Sequence, residues 1–356
     1  VDQRLRLLQP WLQSQVSELA PKSSFVVESL AGDASFRRYF RVVLHSPSQS
    51  QQPDSLVLVD APPPESLEPF VSLAIAYQEQ GVRTPKILAT DAKLGVMLLE
   101  DFGNRLFADN LSMATALPRY QTAIELLPQI MAVKQHRQGA IPDYDRALLQ
   151  RENSLFTDWL LQEHLGLELS AAEQALWQQV NELLIENALA QPQLGVHRDY
   201  HSRNLMLLAE PLQGGRDLGV IDFQDAVRGP ITYDLVSLLR DCYVVWPRDW
   251  VLARVEEAYA LLQSEGLIDG VSWQQFLRWF DLMGLQRHTK ASGIFARLYH
   301  RDGKAGYLAD VPRTVQYLVD VSADYPELAD YHDWLKARIQ PAIAAKAAKT
   351  EHQESV

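Results

Sequence analysis

The chain is poor in cysteine: Cys242 is the single one among 356 residues. One thiol excludes an intrachain disulfide framework and suits a reducing compartment, so the expected location is the cytoplasm. Clusters of cysteine and histidine are missing too, which excludes a structural zinc site. Positive charge is in deficit, with a formal net charge of −12 and no basic stripe, so nucleic acid is not an expected partner. No apolar run reaches the roughly 20 residues of a membrane span. The opening stretch VDQRLRLLQPWLQSQV is amphipathic and has no signal-peptide apolar centre, so no membrane partner is expected. Internal repeats and long low-complexity tracts are absent. What is present is a chain of 47% hydrophobic residues, enough for one large or two medium domains.

The first hundred residues differ in texture from the rest. Segments 24–30, 39–46, 55–61 and 95–101 alternate or run apolar in strand fashion. Segment 46–54, SPSQSQQPD, is a polar connection, and 66–82 has helical periodicity closed by Gly81, with Pro85 preventing its return. After Asn104 helical patterns dominate, at 116–138, 171–191, 232–246, 250–266 and 272–303, with an Ala- and Lys-rich helical tail from about Trp334. The expected fold is α+β and two-lobed. A small β-rich N-terminal lobe covers 1–98, a junction 99–104, and a larger helical lobe 105–356, with a cleft between them for a ligand.

One stretch of the helical half, NLMLLAEPLQGGRDLGVIDF (204–223), is not helical. Two apolar runs flank a loop holding Gly214-Gly215 and predict a β-hairpin. Pairing the runs end to end sets Leu205 against Ile221 and Leu208 against Leu218, and therefore Asn204 against Asp222. Directly opposed residues have Cβ atoms about 4.5–5.5 Å apart, so an amide oxygen and a carboxylate so placed can share one Mg²⁺. Asp199, five positions before Asn204, is placed to accept the proton of a hydroxyl that attacks a nucleotide's γ-phosphate.

HRDYHSRNLML (197–207) followed by VIDFQDAVRGPITYDLVSLL (220–239) resembles the aminoglycoside phosphotransferase-type branch of the protein-kinase-like fold, over about residues 30–239. The resemblance implies ATP and Mg²⁺ as cofactors, Asp199 as catalytic base, and Asn204 and Asp222 as metal ligands. His197 and His201 would order the loop, and Asp234 would brace its backbone. The nucleotide-covering turn would lie at 30–42, with Gly32, Asp33, Ser35 and Arg37 or Arg38 around the phosphates. Asp60 stands where the family carries a phosphate-binding lysine, so the usual partner glutamate, Glu65 or Glu68, lacks its cation, and either an arginine such as Arg38 or Arg41 substitutes or nucleotide binding is weakened. LLEDFGN (98–104) spells the kinase metal motif DFG but precedes the catalytic loop. It is the expected hinge, with the backbone of Glu100, Asp101 and Phe102 facing adenine.

A narrower likeness, in 222–243 and 285–313, is to bacterial sugar kinases that phosphorylate the anomeric hydroxyl of N-acetylmuramate and N-acetylglucosamine for cell-wall recycling. Arg287, Lys290, Ile294 and Arg297 recur at one helical face, with His288 beside them. The face is either solvated or suited to a substrate carboxylate. Asp225 and Arg228 are candidates for sugar hydroxyls or the acetamido group. Phe156, Trp159 and Trp279 are candidates for sugar stacking or for core. The expected activity is an ATP-dependent small-molecule kinase acting on an amino sugar. The alternatives are another acceptor (aminoglycoside, choline or homoserine) or a weakly active nucleotide-binding pseudokinase.

Overall fold

The computed structural model describes residues 2–30, 37–45, 54–209 and 217–354, with side chains through 348. These divide into two compact units that are not contiguous in sequence. The first is Val1–Leu106, His136–Gly139 and Leu205–Asp225, and the second is Phe107–Gln135, Ala140–Asn204 and Ala226–Val356. The boundary expected at 99–104 falls near the end of the first stretch, but the hairpin segment 205–225 joins the first unit rather than the helical one.

The first unit holds an antiparallel sheet of β1 (Ser24–Ser29), β2 (Arg38–His45), β3 (Ser55–Asp60), β4 (Ile87–Asp91) and β5 (Val96–Glu100), in the order β1-β2-β3-β5-β4. Alternation writes this layer: Phe40, Val42 and Leu44 of β2 and Leu56 and Leu58 of β3 are buried on one face. Helix α1 (Gln3–Leu19) covers that face with Leu8, Leu12 and Val16. Its N-cap Asp2 accepts the N–H groups of Arg4 and Leu5, both at 3.0 Å. Strand β4, which the sequence pattern does not announce, pairs with β5 through a register shift between Ile87 and Ala89. Helix α2 (Glu68–Glu79) brings Phe70 and Tyr77 onto Phe223, with ring centroids 4.7 and 5.6 Å apart. The expected hairpin is present as Leu205–Leu207 and Leu218–Val220.

The second unit is helical. The helix expected over 116–138 is two, Met113–Glu125 and Leu127–Ala132, because Pro128 at the start of the second cannot supply a helical N–H. The segment expected as helix over 232–246 is helical only at Tyr233–Leu239. Beyond it the Asp241 carboxylate accepts the N–H of Tyr243 at 2.7 Å and turns the chain. The longest helix, Trp273–Asp302, starts on the Ser272 cap and stops at Gly303, whose φ of 68° is the left-handed value that ends helices. It is buried on most of its circumference, and Gly293 on it meets the backbone of Leu155 and Phe156. There the helix Arg146–Leu155 widens into π-turns over Phe156–His164. Phe156 and Trp279 are fully or almost fully buried, and Trp159 packs on the core, so the three serve packing. An antiparallel pair, Gln193–Val196 with Val227–Pro230, leads into the loop that carries Asp199.

Candidate active site

The loop after strand Gln193–Val196 turns sharply at Arg198, whose φ of 76° is unusual for a residue with a side chain. Asp234, at the start of helix Tyr233–Leu239, holds that turn: it accepts the N–H of His197 at 2.7 Å and of Arg198 at 3.1 Å. Burial pushes the Asp234 carboxyl up to about 7. The His197 ring is fully buried, and its Nδ1 accepts the N–H of Asp199 at 3.3 Å. Asn204 closes the loop by donating from Nδ2 to the Asp199 carbonyl at 3.0 Å. A second brace escaped sequence reading: buried Asp241 accepts the N–H of Ser202 at 2.9 Å. Its only trace in the sequence is an acid two residues beyond an apolar helix.

Asp199 lines a cavity of about 110 Å³ with His201, Asp241, Tyr243, Arg287, Lys290 and Ile294. Burial raises the Asp199 carboxyl, but Lys290, His201, Arg198 and Arg287 outweigh it and hold it below the usual range. The helical spacing of Arg287, Lys290 and Ile294 therefore does share a face, and that face bounds a cavity rather than bulk solvent. Arg287 lies with its guanidinium carbon 4.9 Å from the Tyr233 ring centroid. It makes no ion pair with a carboxylate among the described residues, and its Nε has no hydrogen-bond partner. Lys290 is 3.1 Å from the Tyr233 hydroxyl and 3.1 Å from Glu152. Glu152, also unforeseen, pairs with Arg198 and accepts the Tyr144 hydroxyl.

Several expected substrate residues lie elsewhere. His288 is fully buried, stacks on Tyr317 at 4.4 Å, bonds the Arg240 carbonyl at 2.8 Å, and is pushed by burial down to about 3. It belongs to the packing behind the helix. Arg297, two turns beyond Lys290, does not line the cavity. Arg228 is exposed and pairs with Asp143 at 2.7 Å, and Asp225 is exposed in the first unit; neither lines the cavity.

In the first unit, Gly32, Asp33 and Ser35 lie outside the described residues. Arg38 donates to Asp60 from Nε at 3.0 Å and to Asp2 from Nη1 at 2.5 Å. Arg41 binds Asp101 and Asn104. Both arginines expected as lysine substitutes are thus tied into carboxylates of their own unit. Asp60, fully buried, also takes Arg4 at 3.0 Å, so the acid in the lysine position latches α1 to the sheet. The expected partnerless glutamate has a cation: Glu65 pairs with buried Arg37 at 3.2 Å. At the hinge, the Glu100 N–H is taken by the Lys86 carbonyl at 2.9 Å, which removes it as an adenine donor. Asp101 and Phe102 make no backbone hydrogen bond among the described residues. The Phe102 ring lies over Gly219, where a Cβ would come within 2.6 Å of it.

The hairpin register differs from expectation by one residue. Leu205 pairs with Val220 and Leu207 with Leu218, so Ile221, not Asp222, continues opposite position 204. Register is fixed from outside, by bonds from the Leu207 N–H to Arg105 and from the Val220 N–H to Arg83. Strand pairing alone therefore does not bring Asn204 and Asp222 together. Asp222 follows the second strand in a left-handed conformation, φ 64°, and accepts Gln224 Nε2 at 2.7 Å. An amide oxygen and a carboxylate are hard donors, and Mg²⁺ binds through one or two such groups with water and phosphate completing the shell, so their chemistry fits that ion.

A family model described as "Phosphotransferase enzyme family" matches residues 26–270. The N-acetylmuramate/N-acetylglucosamine kinase of Pseudomonas aeruginosa is 42% identical over 353 residues, covering 96% of this chain and 99% of its own. The enzyme of the same name from Neisseria meningitidis is 40% identical, covering 92% and 93%. Among solved structures, Plasmodium vivax ethanolamine kinase aligns with a TM-score of 0.57 at 13% identity, covering 89% of this chain and 93% of that one. The ADP-bound aminoglycoside phosphotransferase APH(2'')-Ib aligns with a TM-score of 0.55 at 14% identity, covering 87% and 98%. At such identities these two likenesses speak for the protein-kinase-like fold alone.

Proposed function

The chain belongs to the phosphotransferase enzyme family, and from that premise we propose that it moves the γ-phosphoryl group of ATP to the anomeric hydroxyl of N-acetylmuramate or N-acetylglucosamine. The product would be a sugar 1-phosphate of cell-wall recycling, made in the cytoplasm where ATP is held. One observation carries the choice of acceptor: Arg287, without a carboxylate partner among the described residues, lines the same cavity as Asp199. A guanidinium there suits the lactyl carboxylate of N-acetylmuramate. Together with Lys290 it disfavours a polycationic aminoglycoside or a quaternary amine, which like charge would repel.

In this reading Asp199, held ionised by its cationic surroundings, orients the sugar hydroxyl and takes its proton as the bond to phosphorus forms. Asp234 and Asp241 keep the loop backbone fixed while that happens, so positioning supplies much of the rate. The backbone of Asp101 and Phe102 would serve the adenine. Asn204 and Asp222 would hold Mg²⁺, which when bound neutralises phosphate charge. The test is ³¹P NMR of the product formed from each sugar with Mg·ATP. A sugar 1-phosphate doublet with stoichiometric ADP is expected. Phosphate on another hydroxyl, or ADP release independent of sugar, refutes the reading.

A further inference from the structure

Glu152 is 6% exposed on helix Arg146–Leu155 and gathers charge from two other elements. Arg198 reaches it from the loop, and Lys290 reaches it from the long helix at 3.1 Å. The Tyr144 hydroxyl donates to its other oxygen, and Gln286 Nε2 fixes Tyr144 at 3.1 Å. Burial raises this carboxyl, but Lys290 and Arg198 outweigh it and keep it charged. A carboxylate so far from water is costly to keep, and packing alone does not require it, since an apolar side chain of similar volume fills such a place as well. Its partners explain its presence. Lys290 lines the cavity of Asp199, and Arg198 immediately precedes Asp199. Glu152 itself does not line the cavity, so it acts there through Lys290 and through the field of its charge.

The charges can be counted. Arg198, Lys290 and Glu152 together carry one net positive charge, with Lys290 at the cavity wall and the other two beside it; Arg287 adds a positive charge to the wall, and the carboxylates of Asp199 and Asp241 line it as well. Without Glu152 the trio would carry two. One more positive charge beside the cavity favours an acidic acceptor over a neutral one more steeply, because Coulomb attraction in a partly buried site is much stronger than in water.

We propose that Glu152 is a specificity-determining residue: its charge offsets the cations around Asp199 so that a neutral amino sugar competes with one bearing a carboxylate. The proposal rests on the sugar-kinase reading above. It concerns the ratio of kcat/KM for N-acetylmuramate to that for N-acetylglucosamine, in which effects on nucleotide and on the common chemical step cancel.

The experiment measures that ratio for the full chain with Mg·ATP, in wild type, Glu152→Gln, Lys290→Gln, the double variant and Arg287→Ala. Glu152→Gln is expected to raise the ratio about fivefold or more, whatever its effect on absolute rates. Lys290→Gln and Arg287→Ala are expected to lower it. Adding Glu152→Gln to Lys290→Gln restores the trio's charge and should return the ratio to within about twofold of wild type. That second comparison decides the matter even where the single Glu152 variant does not fold. Equal losses for both sugars whenever Glu152 is changed, with the ratio unmoved, mean a packing role and overturn the proposal. A wild-type enzyme that turns over neither sugar overturns the sugar-kinase reading and the selectivity with it.

Discussion

The Asp234 carboxylate accepts the N–H groups of two consecutive residues, His197 at 2.7 Å and Arg198 at 3.1 Å, and so holds the backbone turn that presents Asp199. A left-handed turn at a residue other than glycine costs on the order of 1–3 kcal/mol and persists only where its surroundings enforce it.

The same carboxyl makes stability depend on pH. Its folded pKa, pushed up by burial to about 7, lies above its ordinary 3.8. Between those values the native state binds more protons than the unfolded chain, so this contribution is complete below about 3.8 and is lost as pH rises through 7. Urea titrations from pH 4 to 8 should show the loss in the wild type and a flatter dependence in Asp234→Asn. Parallel curves for the two proteins would remove Asp234 as its source.

Asp199→Asn keeps the shape of the loop, since the hydrogen bonds there use the N–H and carbonyl of residue 199. It removes the proton acceptor. The expected loss in kcat is about 10²–10⁴-fold, with nucleotide affinity by calorimetry within about threefold of wild type. A variant with near-native kcat would show that the proton leaves by another route.

Asp101 carries the letters of a metal aspartate but the contacts of a structural one. It accepts Arg41 Nε at 2.6 Å, the Ser55 hydroxyl at 2.6 Å and the Gly103 N–H at 2.8 Å. Burial raises its carboxyl, and these donors outweigh that and hold it below 3.8. Its stabilisation is therefore present above about 3.8 and lost as pH falls through the lower, folded value. Asp101→Asn should cost about 2–3 kcal/mol at pH 7 without raising the Mg²⁺ concentration needed for half-maximal rate. A raised Mg²⁺ requirement at native stability would return Asp101 to the metal.

Much of this arrangement is legible in the sequence because it is local. Alternating or continuous apolar runs mark β1, β2, β3 and β5, and the loop spacing marks the neighbourhood of Asp199. The hairpin was legible as two apolar runs, but its register was not, since bonds to Arg83 and Arg105, remote in the chain, choose it. The helical period put Arg287, Lys290 and Ile294 on one face. Whether that face meets water or a cavity depends on what packs around the helix, which no window of sequence contains. Glu152 was invisible for the same reason: it lies 46 residues from Arg198 and far from Lys290. His288 shows the converse error, for adjacency in sequence to Arg287 turns its ring about 100° round the helix, toward Tyr317.

Gly293 gives the most direct test of how the cavity wall is held. It lies one turn beyond Lys290 on the long helix, facing the place where helix Arg146–Leu155 widens into π-turns. A Cβ at 293 would stand 2.3 Å from the carbonyl carbon and oxygen of Leu155 and 2.6 Å from the Phe156 nitrogen. These are backbone atoms, which no side-chain rotation can clear, so Gly293→Ala forces the two helices apart. Overpacking of this kind costs about 1–3 kcal/mol and sometimes more. The helix that must move carries Glu152 a turn away, on the carboxylate side of the Lys290 ion pair. Gly293→Ala should therefore lower the urea midpoint and also lower kcat/KM for the sugar, while Gly306→Ala, where a Cβ meets nothing within 4 Å, should change neither. Full stability and full activity in Gly293→Ala would mean that the two helices do not need this close approach.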